Sequence, residues 1–239
     1  MTSFITTKEH RGSGFTLLEL LIVIAIIAVL AIALVFMLNP AETLKKARDA
    51  QRISDLKTIK TALGVMLTST STPSLDNFGA VCLTNGAGTA NASAKIAYSV
   101  APAPTINSGL SAGTDSNQAT FSNTSYSAAS QAAAGKIDGT GWIPVKLNAL
   151  ISGTPISAFP IDPVNLVGGT ATSSDLVYRY ACQNGSTTSK PSYVFEIDAQ
   201  LESNAYTVED NKKANDGGDN ASYFETGNSL YVLPTTANF

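Results

Sequence analysis

Residues 15–38 read FTLLELLIVIAIIAVLAIALVFML, from Phe15 to Leu38, with Glu19 as the one formal charge. Coiled as a helix at about 1.5 Å per residue, the tract reaches roughly 36 Å, enough to cross a hydrocarbon core of about 30 Å. An ordinary secretory signal has an apolar run of about 7–15 residues with a small-residue cleavage site behind it. Here the run is longer, Leu38-Asn39-Pro40-Ala41-Glu42 makes a poor cleavage site, and the small residues Gly12, Ser13 and Gly14 precede the run. A plain membrane anchor accounts for the length and the apolar character but gives Glu19 no task. An acid inside a spanning helix costs a few kcal/mol, less near the helix end.

Taken together, Gly14-Phe15-Thr16-Leu17-Leu18-Glu19-Leu20-Leu21-Ile22-Val23 resembles the processing site of the type IV pilin family, which includes the pseudopilins of type II secretion and related competence proteins. The resemblance implies a cut by a prepilin peptidase between Gly14 and Phe15, N-methylation of Phe15, and Glu19 as the fifth residue of the mature chain, where the family's acid sits. It also implies a role for Glu19 in filament assembly. A carboxylate buried among apolar helices is relieved by a cation, and the Phe15 amine of an adjacent subunit would supply one. The competing roles for Glu19 are a contact with its own chain's amine and recognition by the peptidase. For Gly14 the competing role is a flexible joint.

Lys8 and Arg11 precede the apolar tract, but Lys45, Lys46, Arg48 and Arg52 follow closely, so cation counts alone do not set the orientation. The family's arrangement implies a short leader inside and the large domain outside the cytoplasm. Removing residues 1–14 leaves 225 residues with 13 basic and 17 acidic side chains. That length suits one exported domain and its stalk. The weak acidic balance offers no nucleic-acid footprint.

Past the apolar tract, Asn39-Pro40-Ala41-Glu42 reads as an N-cap, a proline at the first helical position and an acid at the third, which predicts a fresh helix start with a kink at Asn39. Leu44, Ala47, Ile53, Leu56, Ile59, Leu63, Met66 and Leu67 then recur near helical spacing, with Lys45, Arg48, Asp49, Arg52, Lys57 and Lys60 on other faces. This predicts an amphipathic helix packed by its apolar stripe on the following domain, its charged face solvated.

From Thr70 to Gln131 the chain is rich in Ser, Thr, Ala, Gly and Asn, which predicts loops with a short strand over 96–100. Trp142 to Leu147 begins a firmer region, and 158–163 is a proline-punctuated connector. Residues 176–182 and 193–198 alternate as strands, and Leu230 to Leu233 is expected to add a third. Glu196 and Asp198 fall on one side of their strand, as on a solvated face. The architecture expected is α+β: a long N-terminal helix against a small antiparallel sheet.

Cys82 and Cys182 are the only cysteines, and in an oxidising compartment they favour a disulfide; two separate buried thiols are the alternative. In 215–225, Asp216, Asp219, Asn220 and Glu225 cluster oxygens around two glycines, a pattern that suits Ca²⁺ or an ordinary turn. Major pseudopilins carry a calcium loop near this end of the chain, though the spacing here departs from the EF-hand pattern. The single histidine, His10, lies in the leader, so the mature chain has no His for acid–base work, no Cys/His zinc set and no phosphate loop. Asn91, Asn123, Asn184 and Asn220 head glycosylation triplets that arise readily in this composition.

The resulting expectation is a non-enzymatic pilin with four parts: a leader (1–14), a membrane-spanning and filament-core helix (15–38), an amphipathic continuation (39–69) and a head (70–239). It is a single-pass inner-membrane precursor, then a homo-oligomeric helical filament on the cell surface. Its partners are the prepilin peptidase, the pilus assembly platform and minor pilins, and its tasks adhesion, motility or DNA uptake. The alternatives are a pseudopilin of a secretion or competence system, favoured by a calcium loop, and a binding module anchored by the same helix.

Overall fold

The computed structural model of the chain describes residues 14–77, 81–82, 94–106, 121–122, 124–185, 192–236 and 238–239. Lys8, His10, Arg11, Asn91, Asn123 and much of the Ser/Thr-rich stretch after residue 77 lie outside the described residues. The chain divides into two compact units between Thr43 and Leu44.

In the first unit, helix α1 runs Leu17–Leu38 with no buried residue. Its many Ile and Val residues are indifferent helix formers in water, but in an apolar medium a helix is the only way one isolated segment satisfies its own backbone. By length and composition α1 can cross a membrane. It stops at Asn39, whose φ of 37° is left-handed, a conformation Asn tolerates better than most residues. Pro40 opens helix α2, Pro40–Ser69, where its missing amide hydrogen costs nothing. The Asn39 carbonyl accepts from the Glu42 and Thr43 amides, 3.1 and 3.2 Å.

In the second unit, α2 buries Leu56, Ile59, Ala62, Leu63 and Met66. The buried row extends backwards through Arg52 and Asp49, not through Leu44, which is 61% exposed. The expectation that Asp49 and Arg52 face solvent is therefore corrected. Positions 49, 52, 56, 59, 63 and 66 form one stripe of alternating three- and four-residue steps, and its first two members are charged.

Four antiparallel strands follow in the order β1 (Ala97–Tyr98), β2 (Tyr178–Gln183), β3 (Val194–Ala199) and β4 (Phe224–Gly227). The register sets Tyr180 opposite Ile197 and Asp198 opposite Glu225. Leu230 to Leu233 is not the strand expected, because the Val232 and Leu233 amides are taken by the Glu196 carboxylate, 2.7 and 2.8 Å, instead of by a ladder. Both faces of the sheet are covered. Tyr178, Tyr180, Cys182, Phe195 and Ile197 share a core with α2 and with Trp142, Val145, Leu147 and Phe159. Val177, Ala181 and Val194 share a second core with Ile96, Tyr223, Val232, Leu233 and Phe239. Val232, Leu233 and Phe239 thus cover the face on which Glu196 and Asp198 are expected to meet water; both are fully buried.

Candidate functional site

Three places hold the residues singled out by sequence. The first is the start of α1. Thr16 is the N-cap, in extended conformation, and forms a reciprocal capping box with Glu19. The Thr16 amide and hydroxyl both donate to Glu19 Oε2 at 2.9 Å, and the Glu19 amide donates to Thr16 Oγ1 at 3.2 Å. Within one chain, then, Glu19 stabilises its own helix start, where an acid also complements the helix dipole. Its other oxygen, Oε1, is left without a hydrogen-bond partner among the described residues. Gly14 and Phe15 lie just outside the helix, exposed. A Cβ added at Gly14 would meet nothing within 4 Å, and its φ is not left-handed, so no described contact in this chain demands a glycine there.

The second place joins Cys82 to Cys182 on β2 in a disulfide spanning 100 residues of sequence. Segment 81–82 is thereby tied to the sheet, and the Val81 and Cys82 amides also donate to Asp76 Oδ2 at 2.9 and 2.7 Å. Near it in importance is a network that sequence reasoning missed. Arg52, fully buried, donates to Asp162 through Nε (2.6 Å) and Nη2 (3.1 Å), and through Nη1 to Asp49 and Glu202, both 2.8 Å. Arg48 donates to both Glu202 oxygens at 2.6 and 2.7 Å, and these bonds hold the Glu202 carboxyl below the usual carboxylate range. Asp49 accepts the amides of Glu202 and Ser203. A buried charge persists only when paired and hydrogen-bonded all round, and this network fixes α2 to the connector at 162 and the segment at 202–203. The signal was available in the stripe: charges at helical spacing with Leu56 and Ile59 must be buried if the stripe is.

The third place is the acidic loop before β4. Asp216 Oδ1 and Oδ2 accept the Gly218 and Glu225 amides at 2.9 and 2.7 Å. Glu225 Oε2 accepts the Asn220 amide at 3.1 Å, and Asn220 Oδ1 accepts from Ser222 at 2.9 Å. A Cβ at Gly218 would meet the Glu225 carboxylate and displace it from the Asn220 amide. Asp216, Asn220 and Glu225 are brought together, as the sequence suggested, but their oxygens serve backbone amides. Among the described residues no group of three or more Asp, Glu, His or Cys side chains is arranged to hold a metal ion. Burial pushes the Glu225 carboxyl up, reinforced by the neighbouring Glu196 carboxyl, and burial likewise raises Glu196. Asn220 is buried and donates to the Pro234 and Thr236 carbonyls, so its glycosylation triplet is closed to a transferase.

A family model described as a prokaryotic N-terminal methylation motif matches residues 10–35, which contain Gly14, Phe15, Thr16 and Glu19. No curated protein and no solved structure matches the chain.

Proposed function

We propose that this chain, which carries the type IV prepilin-like signature at residues 10–35, is a structural subunit of a type IV pilus filament. The signature implies processing by a prepilin peptidase and handling by pilus assembly machinery, with anchoring in the membrane through α1. In this reading the peptidase cuts between Gly14 and Phe15, Phe15 is N-methylated, and α1 stays in the membrane as a store. It then passes to the filament core by packing on the α1 helices of neighbouring copies, while the head stays outside. Assembly platform and minor pilins are the partners, and the filament serves adhesion, motility or DNA uptake.

One observation carries the reading. The signature extends over most of a helix of 22 residues, of which none is buried within the chain. So large an apolar surface is stable only against lipid or against other helices, and a filament core supplies the second without changing the helix. Glu19 is then the group that tells the two environments apart. In lipid its capping box with Thr16 suffices, and in the filament its unengaged Oε1 receives the Phe15 amine of the next copy.

Shearing the cell surface and imaging the released fibres, with the wild-type chain and with Glu19→Ala, tests this. Wild-type fibres containing the chain are expected, together with a processed Glu19→Ala chain that stays in the membrane. Normal fibres from processed Glu19→Ala would remove the role of Glu19. A wild-type chain found only in the membrane would remove the pilus reading in favour of a pseudopilin.

A further inference from the structure

Charge is unevenly divided along the mature chain. Residues 40–69 hold six basic and three acidic side chains, while residues 70–239 hold seven basic and thirteen acidic. On α2, Arg48, Asp49 and Arg52 are consumed by the network with Asp162 and Glu202. Lys46, Lys57 and Lys60 are exposed and have no ion-pair partner among the described residues. Lys57 borders a groove of about 330 Å³ lined also by Ser54, Thr58, Thr61, Pro155 and Ile156. Its walls are small hydroxyl side chains and its far side is apolar.

An exposed apolar side chain beside an exposed acid lies elsewhere on the same unit. Residues Ala205–Glu209 form a single π-helical turn, a distortion often found at functional sites. At its end Val208 stands 72% exposed beside exposed Glu209. The turn is firmly based: the Ser203 amide is held by Asp49 at 2.7 Å, Thr207 Oγ1 donates to the Ser203 carbonyl at 2.8 Å, and the Asp210 amide donates to the Ala205 carbonyl at 3.0 Å. Asp210 is paired with Lys212 at 2.6 Å, whereas Glu209 has no ion-pair or hydrogen-bond partner among the described residues. No residue of the turn lines its own chain's groove.

We infer that the Val208–Glu209 knob of one copy docks in the α2 groove of the next, with Val208 against Pro155 and Ile156 and the Glu209 carboxylate on the Lys57 ammonium. The inference rests on the filament reading above and names the surface by which heads register. Knob and groove are different patches, so the contact is heterologous, and a heterologous contact that does not close on itself propagates as an open helical array. Five acids of the head, Asp76, Asp162, Glu196, Asp198 and Glu225, are buried, but Glu209 and Lys57 are both exposed; opposite charges on two different patches of one chain select a second copy as occupant. One exposed pair contributes little by itself, but reversing one charge sets like charges in contact at every repeat.

The test uses the full chain in cells that assemble fibres. Lys57→Glu and Glu209→Lys are each expected to lower the yield of sheared fibres about tenfold, and the double reversal to restore it. Both sites are exposed, so precursor processing and the Cys82–Cys182 bridge should be unchanged and serve as the folding control. As a second readout, Lys57→Cys and Glu209→Cys are placed on two differently tagged copies made together, and mixed disulfide dimers are expected on mild oxidation. Full fibre yield from the single reversals, or a double reversal no better than either, overturns the docking. If wild-type cells release no fibres containing this chain, the filament reading fails. The mixed dimer is then sought in the membrane fraction, where its absence overturns the docking as well.

Discussion

The two helices are adjacent in sequence and differ completely in where their partners lie. α1 (Leu17–Leu38) buries none of its side chains within the chain, whereas α2 (Pro40–Ser69) buries seven, two of them charged. A sequence fitted to surroundings outside the molecule needs only to be apolar and self-satisfied in its backbone. A sequence fitted to its own head must match that head residue by residue, down to a guanidinium that finds three carboxylates. Substitutions should therefore separate the two: head changes should alter unfolding of the head and leave α1 unchanged, and the reverse.

The largest effect is expected from the disulfide. Replacing Cys82 and Cys182 together by Ser opens a 100-residue loop and should lower head stability by about 4–5 kcal/mol on chain-entropy grounds, read by denaturant unfolding. Helical content of α1 in micelles should not change. Arg52→Met comes next. It leaves Asp49 and Asp162 buried without their cation and should cost about 3–5 kcal/mol, lowering the melting temperature of the head by about 10 °C. If Arg52→Met is neutral, the network does not fix α2 to the head.

A smaller effect concerns pH. Glu196 and Glu225 both have raised carboxyl pKa values in the folded head, so above the ordinary carboxylate range the folded state binds more protons than the unfolded chain. Their contribution is complete below that range and is lost as pH rises through the raised values, so stability should fall by about 2 kcal/mol from about pH 5 to about pH 8. Glu225→Gln should flatten that slope; an unchanged slope would assign the pH dependence to other groups. The smallest effect falls on α1 alone. Thr16→Val removes the capping hydroxyl at a cost of about 1 kcal/mol and should speed amide exchange in the first turn about fivefold in micelles, with head unfolding unaffected.

How much was legible in the sequence follows the same division. The apolar tract, the break at Asn39-Pro40, the N-terminal motif and the two central strands depend on local pattern, and the structure has them. What failed depended on contacts distant in sequence. Leu230–Leu233 has strand composition, but Glu196 Oε2 takes its amides. Glu196 and Asp198 alternate like a solvated face, but Val232, Leu233 and Phe239 close over that face. Asp49 and Arg52 are charged, which points to water, although their spacing places them on the buried stripe. Composition misled there where period did not.

In the proposed filament α1 is kept, not removed, and its partners lie outside the chain. Intact-mass and N-terminal peptide analysis of the chain recovered from the cell surface tests it most directly. The expected chain begins at N-methylated Phe15 with α1 complete. A chain beginning beyond Leu38, as an ordinary secretory cleavage would leave it, or one still carrying residues 1–14, would contradict it.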